Sequence, residues 1–319
     1  MIIGQENQNI FQRYSAPPDT FGQVVSEECQ SDGTPVVKVS GTEYFQIGQV
    51  FDCGQCFRFD PTEDGGFEGV AGGRYIKLRQ DGGTLELIGI RTEDYYGFWR
   101  HYLALDEDYA GIRAEISECA AAASGSRAGS DPVMENAMSC GAGIRILHQE
   151  PWETLCSFII SQNNNIPRIK KIIAAMSEKY GEPIDADGRR FYAFPTAEAL
   201  VMAGVDGLAE LRTGFRAKYI YDAAVKVSNG EIDPVRIGAA DFDEADAILR
   251  TIKGVGPKVS ACALLFGFGK TEAFPIDVWI KRVLAKYYPD GLDVAKLGKY
   301  AGVAQQYLFY YERYFGGEI

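Results

Sequence analysis

Histidine is nearly missing from this chain: 319 residues contain two, His101 and His148. Imidazoles so far apart in sequence leave little for a histidine-based metal centre or a histidine-activated nucleophile. No run of 18 or more apolar residues occurs, so no membrane-spanning helix is expected. The polar segment 1–30 lacks a basic stretch followed by an apolar one, so no secretion signal is expected there. Cysteine is scarce and odd in number, with seven residues scattered rather than spaced as a disulfide framework, which fits a reducing cytoplasm. Positive charge is also short, with 32 Lys+Arg against 44 Asp+Glu, for a net charge of −12. That balance disfavours non-specific binding of the whole chain to a polyanion, so any such site must be a local basic patch.

What is present describes a globular protein. The chain is 46% hydrophobic and 24% charged, and its length is about two domains by the usual prior. Charge is uneven along it. Segment 106–135 holds seven acids and two bases, whereas 251–286 holds six bases (Lys253, Lys258, Lys270, Lys281, Arg282, Lys286) against Glu272 and Asp277. The first third reads as strands. Ile76 and Leu78 alternate with Lys77 and Arg79, Asp81, Gly82 and Gly83 supply a turn, and Leu85 and Leu87 resume the alternation. Val36 to Phe59 also reads as β-rich. Small and turn-forming residues at 119–140 predict a linker or insertion. From Gln149 the period becomes helical, with Pro151 and Pro167 opening helices on either side of the polar run 161–165. Further helices are predicted over 217–227, 243–252, 258–266, 277–287 and 297–314. The expected fold class is α+β: an N-terminal α+β domain over 1–145, then an all-helical region over 146–319.

The most specific stretch runs from Leu249 to Ala261, with Gly254-Val255-Gly256 between two helical segments and Pro257 opening the second. This is the pattern of a helix-hairpin-helix. Its glycines let backbone approach a phosphate, and the N–H groups at the second helix's start point at the anion. No side-chain charge is needed, so an acidic protein can hold DNA there. A plain αα-corner would look the same if the hairpin stood alone. It does not, because Asp277 follows nineteen residues after Lys258, in the run Phe274-Pro275-Ile276-Asp277-Val278 that leads into another helix.

This arrangement resembles the helix-hairpin-helix DNA glycosylase superfamily and, more closely, its 8-oxoguanine DNA glycosylase/abasic-site lyases of the eukaryotic type. The residues 54–59 (GQCFRF), 161–169 (SQNNNIPRI), 214–219 (GFRAKY) and 301–309 (AGVAQQYLF) fit the same family in the same order. The resemblance spans about 46–315. It implies an N-terminal antiparallel sheet of the TATA-binding-protein kind before the helical region, and duplex DNA containing 8-oxoguanine as the partner of a monomer with no membrane association. It also implies base excision repair, in the nucleoid of a prokaryote or the nucleus of a eukaryote.

By this resemblance Lys258 is the nucleophile that attacks the sugar C1′ and expels the base. An ammonium cannot attack, and both a helix N-terminus and partial desolvation favour the neutral amine. A surface lysine on a first helical turn is the ordinary alternative, although the helix dipole disfavours a cation there. Asp277 is an N-cap candidate in its own right, and the resemblance adds stabilisation of an oxocarbenium-like sugar. Gly54 would offer its carbonyl to the N7–H that 8-oxoguanine has and guanine lacks; guanine would leave a buried acceptor unpaired at about 1–3 kcal/mol. Cys262 and Phe309 would sandwich the flipped base, where core packing is the alternative, and Gln305 would read its Watson–Crick edge. Asn163 would fill the vacated space, Phe215 would wedge into the opposite strand, and Arg168 and Arg216 would contact the orphaned cytosine. Gly254, Val255, Gly256 and Trp279 would face phosphate.

Trp279 stands where the family has a histidine, and Glu312 where it has that histidine's aspartate partner. No cofactor is required, although a metal cation on the carbonyls of Arg250, Ile252 and Val255 would fit family hairpins. The pair Cys53 and Cys56 has no second pair at metal-ligand spacing, and no cysteine follows Tyr287, so no iron–sulfur cluster is expected. Two other readings compete. A non-catalytic damaged-DNA-binding module would need neither Lys258 nor Asp277, and glycosylases for other damaged bases generally lack the hairpin lysine.

Overall fold

The computed structural model describes residues 20–316. Of the segment 1–30, read above as lacking a secretion signal, everything before residue 20 lies outside the described residues. Six strands form one antiparallel sheet: β1 (Val24–Cys29), β2 (Pro35–Ser40), β3 (Phe59–Pro61), β4 (Phe67–Ala71), β5 (Arg74–Asp81) and β6 (Thr84–Ile88). Their order is β1-β2-β6-β5-β4-β3. The alternation read in β5 and β6 fixes the pairing, with Leu78 opposite Leu87 and Asp81 opposite Thr84. Ile76, Leu78, Leu85 and Leu87 thereby share one buried face with Val37 and Val39 of β2.

That face is covered by α1 (Ile47–Asp52) and by the short turns α2 (Thr92–Asp94), a π-helical turn over Tyr95–Trp99, and α3 (Arg100–Tyr102). Phe45, Tyr95 and Trp99 are among its fully buried side chains. The β-rich reading of 36–59 thus holds at its two ends, in β2 and β3, and gives way to helix between them. Ile47, Val50 and Phe51 are spaced to bury one side of a helix, a period hidden by their β-favouring types.

The helical body comprises α4 (Tyr109–Ser124), α5 (Pro132–Cys140), α6 (Pro151–Ser161), α7 (Ile166–Tyr180), α8 (Ala197–Glu210), α9 (Ala217–Ser228), α10 (Pro234–Ala239), α11 (Phe242–Leu249), α12 (Pro257–Phe268), α13 (Val278–Tyr287) and α14 (Ala301–Phe315). Three expectations fail here. The region after 146 is not all helical, because β7 (Pro183–Ala186) pairs with β8 (Arg189–Tyr192). This hairpin leans on the large sheet, where Phe191 stacks on Tyr75 at 4.3 Å and Arg189 reaches Glu68.

Nor is 119–140 a linker. Alanines are strong helix formers, and Ala120, Ala123, Met134 and Ala137 are all buried. Only the Ser/Gly-rich turn between α4 and α5 is irregular, and it is pinned. Asp131 caps α5 by accepting from Val133 and Met134 N–H and takes the Tyr288 hydroxyl at 2.9 Å. Packing places α4 and α5 in the helical core with α14, while Leu147 belongs to the core of the sheet. The helix predicted over 297–314 also divides, into a 3-10 turn at Val294–Tyr300 and then α14.

Candidate active site

Helix α12 is apolar on every side, and all its residues from Val259 to Phe266 are buried. A helix of that composition runs through the centre of a body and meets solvent only at its ends. At its N-terminus Gly256 has no side chain to cap with, so the first N–H groups are left for an anion. Lys258 sits one residue inside this end and is half-buried. Its Nζ donates to Ser161 Oγ at 3.3 Å, at the close of α6, and lies 5.0 Å from the centroid of the Phe158 ring.

Cys262, one turn further, faces the same way. Burial pushes its thiol up, while the Lys258 charge draws it down and the Asp277 charge raises it, so the three groups share one locality. Asp277 is the N-cap of α13: its Oδ1 accepts from Trp279 N–H at 3.0 Å and Ile280 N–H at 2.9 Å.

The loop after α1 meets α14. Gly54 has φ +78°, a region that costs other residues about 1–2 kcal/mol, and a Cβ there would stand 3.6 Å from the Phe309 ring. Gln305 is 4% exposed, and its Oε1 is buried without a hydrogen-bond partner among the described residues. An unpartnered amide oxygen beside a half-buried aromatic ring is where a bound polar ligand would be satisfied. Two glutamines given no role on the sequence hold this pair in place. Gln306 Nε2 donates to the Cys53 carbonyl at 2.6 Å. Gln55 Nε2 donates to Val50 and Arg145 carbonyls, and its Oε1 accepts from Leu147 N–H. Both lie inside the segments 54–59 and 301–309 that fit the glycosylase family, beside Gly54 and Gln305.

The three asparagines between α6 and α7 divide the work. Asn164 donates to the Ile160 carbonyl at 3.1 Å, Asn165 caps α7 through Arg168 N–H at 3.0 Å, and Asn163 is exposed at φ +47°. Arg168 is exposed and donates to the Arg212 carbonyl at 3.3 Å. Arg216 departs from expectation. It is 3% exposed and donates to the carbonyls of Thr213 at 3.1 Å, Asn163 at 3.0 Å and Gln162 at 2.8 Å. Its donors hold the asparagine loop rather than standing open for a cytosine, because the short 3-10 turn at Gly214–Arg216 aims the side chain inward. Burial and the neighbouring Arg168 charge both lower its pKa. Phe215, by contrast, is 46% exposed with the Arg216 guanidinium 4.4 Å from its ring centroid.

Tyr219, also unassigned on the sequence, connects Phe215 to the hairpin. It meets Phe215 edge-on at 5.8 Å, and a Cβ on Gly254 would strike its ring at 2.4 Å. Only glycine lets the hairpin backbone lie that close. Val255 is buried, and its N–H donates to the Ile252 carbonyl at 3.0 Å, which closes the turn. Trp279 does not pair with Glu312. Arg282 covers its ring at 4.7 Å, while Glu312 accepts from the Tyr287 hydroxyl at 3.0 Å and faces Lys286 at 3.7 Å. Cys53 and Cys56 are buried free thiols, and burial pushes Cys53 up to about 12, which makes it a poor thiolate. The two histidines judged remote are in fact stacked, with ring centroids 4.0 Å apart. Among the described residues no helix is long and apolar enough to cross a membrane.

Two family descriptions match the chain: the 8-oxoguanine DNA glycosylase N-terminal domain over residues 36–155, and the HhH-GPD superfamily base excision DNA repair protein over 156–292. The N-glycosylase/DNA lyase OGG1 of Arabidopsis thaliana is 30% identical over 317 residues, covering 92% of this chain and 84% of that protein. The N-glycosylase/DNA lyase of Saccharomyces cerevisiae is 38% identical over 158 residues, which span 46% of this chain and 42% of that one. Among solved structures, the 8-oxoguanine glycosylase/lyase of Clostridium acetobutylicum, in complex with duplex DNA containing cytosine opposite 8-oxoguanine, is 36% identical. Its TM-score is 0.82, over 93% of this chain and 99% of that one. MBOgg1 in complex with a low affinity DNA ligand is 41% identical, with a TM-score of 0.83 over 92% and 99%.

Proposed function

Because the chain belongs to the family of 8-oxoguanine DNA glycosylases, we propose that it excises 8-oxoguanine from duplex DNA and cleaves the resulting abasic site. Lys258 is the nucleophile. Its neutral amine attacks C1′ as the glycosidic electron pair leaves with the base, which takes up a proton. The nitrogen then loses a proton, its lone pair breaks the C1′–O4′ bond, O4′ takes up a proton, and the opened sugar is held as a protonated Schiff base. Removal of a C2′ proton then expels the 3′ phosphate by β-elimination. Asp277 stabilises positive charge on the sugar as the base departs. The observation that carries this reading is Lys258 at an uncapped helix start, grouped with Cys262 and Asp277.

Gly54, Gln305, Phe309 and Cys262 form the base pocket, and the orphaned Gln305 Oε1 is its strongest mark. Asn163 and Phe215 take the place of the flipped base and the wedge, and Arg168 is the exposed arginine nearest the opposite base. Arg216 acts by fixing Asn163 rather than by touching cytosine. Gly254, Val255 and Gly256, with Trp279, face phosphate. The carbonyls of Arg250, Ile252 and Val255 are hard oxygen donors suited to a cation, which would add positive charge beside that phosphate. Ile252 already accepts one hydrogen bond and keeps a second lone pair for it. The enzyme works as a monomer and prefers cytosine opposite the lesion. The OGG1 type is favoured over glycosylases for other bases by the lysine and the Gly54 loop together.

Borohydride trapping on an 8-oxoguanine duplex tests the mechanism, since only a lysine Schiff base becomes fixed. Lys258→Gln should bind the duplex while losing both trapping and base release. Appreciable trapped complex from that variant would move the nucleophile elsewhere, with Lys253 the nearest rival. Single-turnover rates with each of the four opposing bases test the cytosine preference, expected at roughly 5–150-fold over adenine for one to two charge-assisted bonds.

A further inference from the structure

The two histidines lie at a junction between the sheet and the helical body, away from the hairpin. His101, in α3, stacks on His148 with rings 15° from parallel. Each meets a carboxylate from the turn between α3 and α4: His101 Nδ1 lies 2.9 Å from Asp106 Oδ2, and His148 Nε2 lies 2.8 Å from Glu107 Oε1. One donor atom each of His101, Asp106 and His148 falls within 4.8 Å of the other two. Asp106 Oδ1 is buried and has no hydrogen-bond partner among the described residues.

We propose that His101, Asp106 and His148, with Glu107 as the nearest fourth donor, form a binding site for one zinc-like divalent transition-metal ion. Two imidazoles with carboxylates are the donor set that borderline divalent ions prefer over magnesium or calcium. Two ring nitrogens and two carboxylates offer a dication both donor atoms and counter-charge. Tetrahedral zinc needs about 3.3 Å between ligand atoms, from bond lengths near 2.0–2.1 Å. The His101–Asp106 pair, at 2.9 Å, must therefore open by a few tenths of an ångström, and the three donors, now within 4.8 Å of one another, must settle to that spacing. On binding, the ion displaces the protons now shared between ring and carboxylate, and gives the Asp106 carboxylate a full partner. The role is structural. His148 Nδ1 stands 3.9 Å from where a Cβ on Gly269 would be, at the C-terminal end of α12. Lys258 lies at that helix's other end, about 15 Å away at 1.5 Å per residue. A bound ion would clamp the 101–108 turn to segment 148 and the tail of α12.

Titration of the full, metal-stripped chain with zinc should give one tight site and, at a hundredfold excess over Kd, a rise in Tm of about 5 °C. Cobalt(II) should give the intense visible bands of a tetrahedral nitrogen–oxygen site without thiolate charge transfer. His101→Gln and His148→Gln should each weaken zinc affinity at least tenfold while leaving borohydride trapping intact. Absence of zinc binding at tens of micromolar, or a cobalt spectrum with thiolate charge transfer, would overturn the proposal. So would undiminished affinity in both variants. The cobalt spectrum is read on the unaltered protein, so it decides even where a variant does not fold.

Discussion

At α13 both cap bonds fall on Asp277 Oδ1, so charge and cap can be varied separately. Asparagine caps as well as aspartate, and alanine does not. Asp277→Asn should therefore melt within ~2 °C of the parent yet release 8-oxoguanine at least about 10²-fold more slowly, the size of one lost electrostatic stabiliser. Asp277→Ala should show the same loss of rate and lose about 1 kcal/mol of stability besides. Single-turnover excision beside a thermal melt reads both, and an asparagine variant with the parent's rate would reduce Asp277 to a cap. Lys258 and Gly54 stood out by their place in motifs that resemble those of the glycosylase family, whereas the cap at Asp277 was legible from local chain chemistry. Arg216 was not, since its sequence neighbours say nothing of the carbonyls at Gln162 and Asn163 that take its donors.

Between elements, one buried carboxylate or ion pair often decides whether a segment packs. Asp131 caps α5 and takes the Tyr288 hydroxyl, so Asp131→Ala should cost about 2–3 kcal/mol from a lost cap and an unpaired buried hydroxyl. Excision per folded molecule should be unchanged; urea melts with an active-site titration would test this, and an unaltered midpoint would return the segment to the status of a loose connection. The β7–β8 hairpin is held differently. Bonds from Arg189 and then Tyr75 outweigh burial and draw the Glu68 carboxyl below its ordinary value of 4.5. A depressed carboxylate stabilises the fold above that value and loses the effect as pH falls through the lower folded one. Glu68→Gln should accordingly cost about 0.5–1 kcal/mol near neutrality, with the gap to the parent closing in acid; parallel melts across that range would show a constant gap if the pair contributes nothing. Neither tie could be read in advance. The alanines of 119–124 favour helix, but their partners lie beyond residue 290, and composition alone suggested a linker.

For the molecule as a whole, a net charge of −12 must coexist with a DNA-binding face. Contacts made mainly by backbone N–H groups, with the few bases of 251–286, predict a shallow salt dependence. Log K against log salt should fall with a slope of roughly −3 to −5, about 0.9 per phosphate neutralised. Anisotropy titrations between about 50 and 200 mM salt would measure it, and a slope near −10 would mean more cationic contacts than the bases of 251–286 supply. The sheet, the helical body and the hairpin were readable because their periods are local, whereas the meeting of His101 with His148 belongs to topology alone. The same topology joins Gly54 to Gln305 through their immediate neighbours, since Gln306 holds the Cys53 carbonyl. One bond thus sets the aperture of a gauge whose two jaws come from opposite halves of the chain. A gauge with a loosened screw still closes, but it accepts the wrong size. Gln306→Leu should therefore lower the ratio of 8-oxoguanine to guanine excision more than it lowers the rate on 8-oxoguanine, a loss of calibration that single-turnover rates on the two duplexes would reveal.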